Sequence, residues 1–121
     1  MRSLPAITLL VPDYDTGIAF FTGVLGFALI EDTDMGGGKR WVQVAPEPEA
    51  PTRLLLAQAR GAAQEAAIGN QSGGRVFLFL RVDDFDAEYA RLSAAGVAFQ
   101  EVPRHEPYGK VAVFRDPFGN L

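Results

Sequence analysis

The sequence predicts an α+β fold made of two tandem βαβββ modules. Three observations carry that expectation. First, the chain repeats itself. Val11-Pro12-Asp13-Tyr14-Asp15 matches Val82-Asp83-Asp84-Phe85-Asp86, and the match continues through Ile18 with Tyr89, Ala19 with Ala90 and Phe21 with Leu92. After a slip of one residue, Gly26-Phe27-Ala28 meets Gly96-Val97-Ala98, and Lys39-Arg40-Trp41-Val42 faces Lys110-Val111-Ala112-Val113. A period of this kind marks a duplicated supersecondary unit. Second, each copy carries the same punctuation: an apolar run, an aspartate, a stretch of helical period and a glycine. Third, 121 residues are the length of one domain, and a chain of that size can bury about two-thirds of its unfolded surface. The expected layout is one domain, 1–121, with a first module at 4–58, a linker at 59–74 and a second module at 75–121.

The elements follow in order. Ile7–Val11 and Val76–Val82 are apolar and β-branched enough to open each module as a strand. Asp13 and Asp84 stand where a helix N-cap is needed, with further acids at 15, 83 and 86 suited to the positive end of a helix. Ile18, Phe21 and Leu25 share one helical face, as do Tyr89, Leu92 and Ala95. Gly26 and Gly96 are natural residues for the position just past a helix. Second strands are expected at 27–32 and 97–102, and third strands at 40–45 and 110–114. A fourth strand, 53–57, closes the first copy. Its counterpart in the second copy would fall beyond Leu121, so the natural protein is expected to continue past the sequence given, since a missing strand leaves an unpaired edge. Within the linker, Ala62–Ile68 reads as a short helix and Asn70-Gln71-Ser72-Gly73-Gly74 as a flexible tie. Gly36-Gly37-Gly38 reads as a hairpin end; no helix follows it to make a phosphate cradle.

Composition removes several function classes. There are 11 basic and 15 acidic side chains, a net charge of −4, which argues against nucleic acid and against anionic membrane surfaces. Cysteine is absent and His105 is the sole histidine, so one chain offers no thiolate nucleophile, no zinc–thiolate site and no multi-histidine metal site. The longest apolar runs, such as Val76–Leu80, are far too short to span a bilayer. The N-terminus does not read as a signal peptide, and the expected compartment is the cytoplasm.

Two motifs then point to a family. Val11-Pro12-Asp13 leading through Phe20-Phe21 to Val24-Leu25-Gly26-Phe27, and Phe114-Arg115-Asp116-Pro117-Phe118-Gly119-Asn120 near the other end, resemble the signatures of the vicinal oxygen chelate superfamily. That group contains glyoxalase I, bleomycin-resistance proteins, fosfomycin-resistance enzymes and extradiol dioxygenases. The resemblance spans nearly the whole chain. It implies two modules whose sheets form a shared open cleft, the glyoxalase/bleomycin-resistance fold, often completed in a homodimer.

The resemblance also implies where a divalent metal would be held. The first-strand ligand positions map to Ala6 and Phe77, and the fourth-strand position of the first module maps to Leu55. A dehydrated divalent ion needs several nitrogen or oxygen donors, and none of these three side chains has one. No metal or other cofactor is therefore expected. If Ala6 and Phe77 face the cleft, strand alternation turns Thr8, Leu10, Phe79 and Arg81 the same way, with Arg53 and Ala57 beside Leu55. Ile7, Leu9, Val11, Val76, Leu78 and Leu80 then pack on the helices. The resulting floor is apolar and aromatic, which suits a small, partly aromatic ligand. Trp41 and Gln43 share one face of their strand, as do Ala112 and Phe114. Trp41 is read either as a stacking wall or as an ordinary core or dimer-interface tryptophan. Arg53 and Arg81 are read either as anion-binding groups or as strand-end arginines paired with carboxylates.

His105 lies in a loop bounded by Pro103 and Pro107. Imidazole is the side chain most suited to proton transfer near neutral pH, which makes His105 the candidate acid or base, with Glu106 and Tyr108 beside it; the alternative is a solvated loop histidine. Two functions from different classes follow. One is a metal-independent protein that binds a small molecule in the cleft of a homodimer. The other is a divergent lyase, isomerase or dioxygenase of the same superfamily, using His105, Glu106 or Tyr108 or a metal held by other ligands. A protein with no small ligand at all stays open beside them.

Overall fold

The computed structural model describes residues 1–121. The chain forms two compact units, Met1–Ile68 and Gly69–Leu121, and its architecture is α+β.

The first unit is a complete βαβββ module. β1 (Ala6–Val11) is followed by α1 (Tyr14–Ile18), which runs on without a break as a π-helical turn, Ala19–Val24. Asp13 is extended and caps α1: its Oδ1 accepts the Thr16 N–H at 2.7 Å. The helical segment ends at Gly26, whose φ is +76°. The Phe27 N–H then donates back to the Phe21 carbonyl at 2.8 Å, the closure that a left-handed residue permits. β2 (Ala28–Gly36), β3 (Lys39–Ala45) and β4 (Arg53–Gln58) complete a sheet of order β1-β4-β3-β2, with β1 parallel to β4 and the other neighbours antiparallel. β2 runs farther than the expected 27–32 because its second half, Glu31 to Asp34, pairs as an acidic edge with β3. α2 (Gly61–Ala67) follows β4 directly.

Alternation sorts this sheet into two faces. Leu9, Val11, Val42, Val44, Leu54 and Leu56 are buried with Tyr14, Phe20, Phe21 and Leu25 of the helical segment. Phe20 and Phe21 meet edge to face at 5.2 Å between ring centroids. This is the core of the unit. The opposite face carries Thr8, Trp41, Gln43, Arg53 and Leu55, and of these only Gln43 is buried.

The second unit departs from expectation. Its helix α3 (Phe85–Ala94) is capped by Asp84, whose Oδ1 accepts the Ala87 N–H at 3.1 Å. It ends at Gly96, with Val97 N–H donating to the Leu92 carbonyl at 3.0 Å. Residues 76–82, expected to be a strand, pair with no other strand. In the first unit β4 sits between β1 and β3, whereas no strand of the second unit lies beside 76–82, and a segment without a neighbour to accept its hydrogen bonds forms no ladder. The expected strand 97–102 contracts to β5 (Ala98–Phe99), which pairs with β8 (Phe114–Arg115). The expected loop around His105 is instead a hairpin, β6 (Arg104–Glu106) with β7 (Gly109–Val111). Pro107 and Gly109 at the second and fourth positions of Glu106-Pro107-Tyr108-Gly109 supply its turn chemistry.

Candidate functional site

The open face of the first-unit sheet is built by register. Thr8 on β1 lies beside Leu55 on β4, Leu55 opposes Gln43 on β3, and Gln43 opposes Glu31 on β2. One row thus crosses four strands. Arg53, two residues before Leu55, flanks that row on one side, next to Ala6. Trp41, two residues before Gln43 on the antiparallel neighbour, flanks it on the other. Arg53 Nη1 donates to Gln43 Oε1 at 3.0 Å, and Gln43 is only 8% exposed. A buried amide therefore holds a half-buried guanidinium in a set direction.

A groove of about 450 Å³ opens where β3 begins and β4 ends. Trp41, Leu55 and Ala57 give it an apolar wall, while Lys39, Arg60 and Gln64 supply polar groups. Its volume lies within the range of small-molecule sites. Arg40 also lines it but is already engaged. Its Nη1 meets Asp15 Oδ1 at 2.8 Å, its Nη2 meets Asp32 Oδ2 at 2.7 Å, and its guanidinium carbon lies 5.3 Å from the centroid of the Tyr14 ring. These contacts raise the Arg40 pKa and hold the Asp32 carboxyl below its ordinary value.

The sequence-predicted residues divide between the units. Thr8, Trp41, Gln43, Arg53, Leu55 and Ala6 come together on one face. In the second unit, Phe77, Phe79 and Arg81 lie on the unpaired 76–82 segment, where Phe79 is 90% exposed and Arg81 is exposed. The Phe114 ring packs on Phe99 at 5.8 Å, and Phe99 packs on Tyr89 of α3 at 4.5 Å, so Phe114 belongs to an aromatic cluster of its own unit. His105 and Glu106 are adjacent on β6 and alternate across it, so they do not face one another as a pair. His105 is exposed and opposes Lys110; Glu106 Oε1 binds Arg104 Nη1 at 2.6 Å; Tyr108 is 77% exposed at the turn. Nothing in the hairpin gathers these three into a reacting set.

Sequence reading missed Lys39, Arg60 and Gln64. The signal was the short interval between Gln58 and the helix at Gly61, which brings the start of α2 to the groove. At the positions where the resemblance implies a divalent metal, Ala6 and Leu55 present only carbon to the open face, and Phe77 presents a ring. These residues do not fit a metal.

The family model described as Glyoxalase/Bleomycin resistance protein/Dioxygenase superfamily matches residues 3–121. An uncharacterized protein of Shewanella frigidimarina is 48% identical over 121 residues, covering 99% of this chain and 90% of that one. The crystal structure of UcmS2 superposes with a TM-score of 0.84 at 33% identity, covering 99% of this chain and 95% of its own. That of TnmS3, described as an antibiotic binding protein from Streptomyces sp. CB03234, superposes with a TM-score of 0.74 at 32% identity, covering 99% of this chain and 91% of its own.

Proposed function

The chain belongs to the glyoxalase/bleomycin resistance protein/dioxygenase superfamily, and from that premise we propose that it binds a small, partly aromatic molecule on the open face of its first-unit sheet without a metal. The observation that carries this reading is the carbon surface of that face. At Ala6 and Leu55, the positions where the resemblance implies metal ligands, it offers no donor atom, beside the Trp41 ring and the Arg53–Gln43 pair. An apolar floor with a few fixed polar groups is the common make-up of a small-molecule site. The description of TnmS3 as an antibiotic binding protein supports the same reading. No helix is long and apolar enough to cross a membrane. The proposal includes a homodimer acting in the cytoplasm, whose oligomeric state light scattering would read.

The test is a thermal-shift panel of aromatic small molecules, run with chelator and again with added Zn²⁺, Ni²⁺, Mn²⁺ or Fe²⁺. A true ligand at a hundredfold excess over its Kd stabilises the folded chain by about 2.7 kcal/mol. The expected result is a shift that persists in chelator and quenches or shifts the emission of Trp41, the only tryptophan. Stabilisation that requires the metal would overturn the metal-independent reading.

A further inference from the structure

Arg53 narrows the chemistry of the ligand, and the argument rests on the small-molecule reading above. Its guanidinium is half-buried on the open face, and its hydrogen-bond partner is a neutral amide, Gln43 Oε1 at 3.0 Å. The ion pairs of the chain use Arg40, Arg91, Arg104 and Lys110; Arg53 has no carboxylate within reach. Gln43 therefore orients this cation without neutralising it. A guanidinium has five planar N–H donors and matches a carboxylate with two at once. Drawn partly out of water, it gains most from an anionic partner.

Register places that cation relative to the ring. Arg53 and Trp41 lie on the same face, on opposite sides of the Leu55–Gln43 row. Four residue steps separate their levels, about 13 Å along the strands. Leu55 floors the interval. The net charge of −4 opposes anions at long range, so any preference for one must come from contact at this site.

We propose that the open face selects a flat aromatic ligand bearing a carboxylate or similar anionic oxygen at one end. The anion is taken by Arg53, the ring lies toward Trp41, and the body crosses Leu55. This excludes neutral aromatics of the same shape as preferred ligands, and it excludes cationic ones.

The test uses two matched probes, 4-biphenylcarboxylate and 4-biphenylcarboxamide, titrated into the full chain by calorimetry and by Trp41 emission. The expected result is a carboxylate affinity about tenfold or more above that of the amide, the scale of a charge-assisted hydrogen bond. In Arg53→Gln the ratio should collapse toward one; in Arg53→Lys, which keeps the charge but loses the fork, part of it should remain. Equal affinities in the wild-type chain overturn the anion preference while leaving small-molecule binding standing, and this comparison needs no variant to fold. A ratio unchanged in Arg53→Gln overturns the assignment to Arg53. If neither probe moves Trp41 emission and the wider panel is equally silent, the binding reading falls and takes this inference with it.

Discussion

Asp116 organises a whole turn with one carboxylate. Its Oδ1 accepts N–H groups from Phe118, Gly119 and Asn120 at 3.0, 2.8 and 2.9 Å, and its Oδ2 accepts Asn120 Nδ2 at 3.1 Å. Asn120 is 7% exposed, so donors released there are poorly placed to find water. Asp116→Ala is expected to destabilise the fold by about 1–3 kcal/mol, the range for leaving buried donors unmatched, as read by urea unfolding. Asp32 gives a pH signature instead. Hydrogen bonding to Arg40 holds its carboxyl below the ordinary 3.8. A depressed folded pKa contributes stability that is full above the unfolded value and lost as pH falls through the folded one. The melting temperature should therefore drop on acidification below about pH 4, and Asp32→Asn should flatten that part of the profile. At this scale the sequence was legible where partners are local. The Asp13 and Asp84 caps follow from position alone. The clamp of Arg40 on Asp15, 25 residues apart, needed the tertiary fold. So did Arg53 on Gln43, which requires knowing that β3 and β4 pair.

Elements were legible where alternation and neighbours agree. Every strand of the first module lies within a few residues of its expected place, because Leu9, Val11, Leu54 and Leu56 alternate with half-exposed residues and each strand has a partner. Leu56 is 1% exposed at the centre of that core. Leu56→Ala is expected to cost about 2–5 kcal/mol by chemical denaturation. Two glycines test a subtler point. A Cβ on Gly17 would meet only side chains, Leu56 Cδ1 and Val11 Cγ1, each at 3.1 Å. A Cβ on Gly69 would come within 2.0 Å of the Phe118 carbonyl oxygen, at a φ of +72° that side chains avoid. Side chains can shift by tenths of an ångström, whereas the Phe118 backbone is fixed by the Asp116 turn. Gly69→Ala should therefore lower the melting temperature much more than Gly17→Ala; equal effects would mean the turn can move. The hairpin at Arg104–Val111 escaped the sequence reading because its prolines suggested a loop, although Pro107 and Gly109 suit a tight turn.

At the scale of the whole molecule, the repeat in the sequence is more regular than the repeat in the structure. Both copies share the capped helix and its glycine stop. Both also tie the first turn of that helix to the third-strand region: Arg40 binds Asp15 in one unit, and Lys110 Nζ binds Asp86 at 2.8 Å in the other. They differ at the first strand. Residues 76–82 are as apolar as β1, yet the pattern of a strand is not a strand until a neighbour accepts its hydrogen bonds. In the first unit that neighbour is β4. In the second, no strand pairs with 76–82, and the Phe77 N–H reaches the Leu121 carbonyl at 3.0 Å. Hydrogen exchange on the 121-residue chain should expose the difference. The amides of Leu78 to Arg81 should exchange at close to unprotected rates, while Val42, Val44, Leu54 and Leu56 exchange orders of magnitude more slowly, in proportion to the stability of the unit that holds them. Protection at 78–81 matching that of β4 would contradict the unpaired segment. A dilution series would then separate the sources: protection lost on dilution comes from a second copy, and protection that survives comes from within the chain.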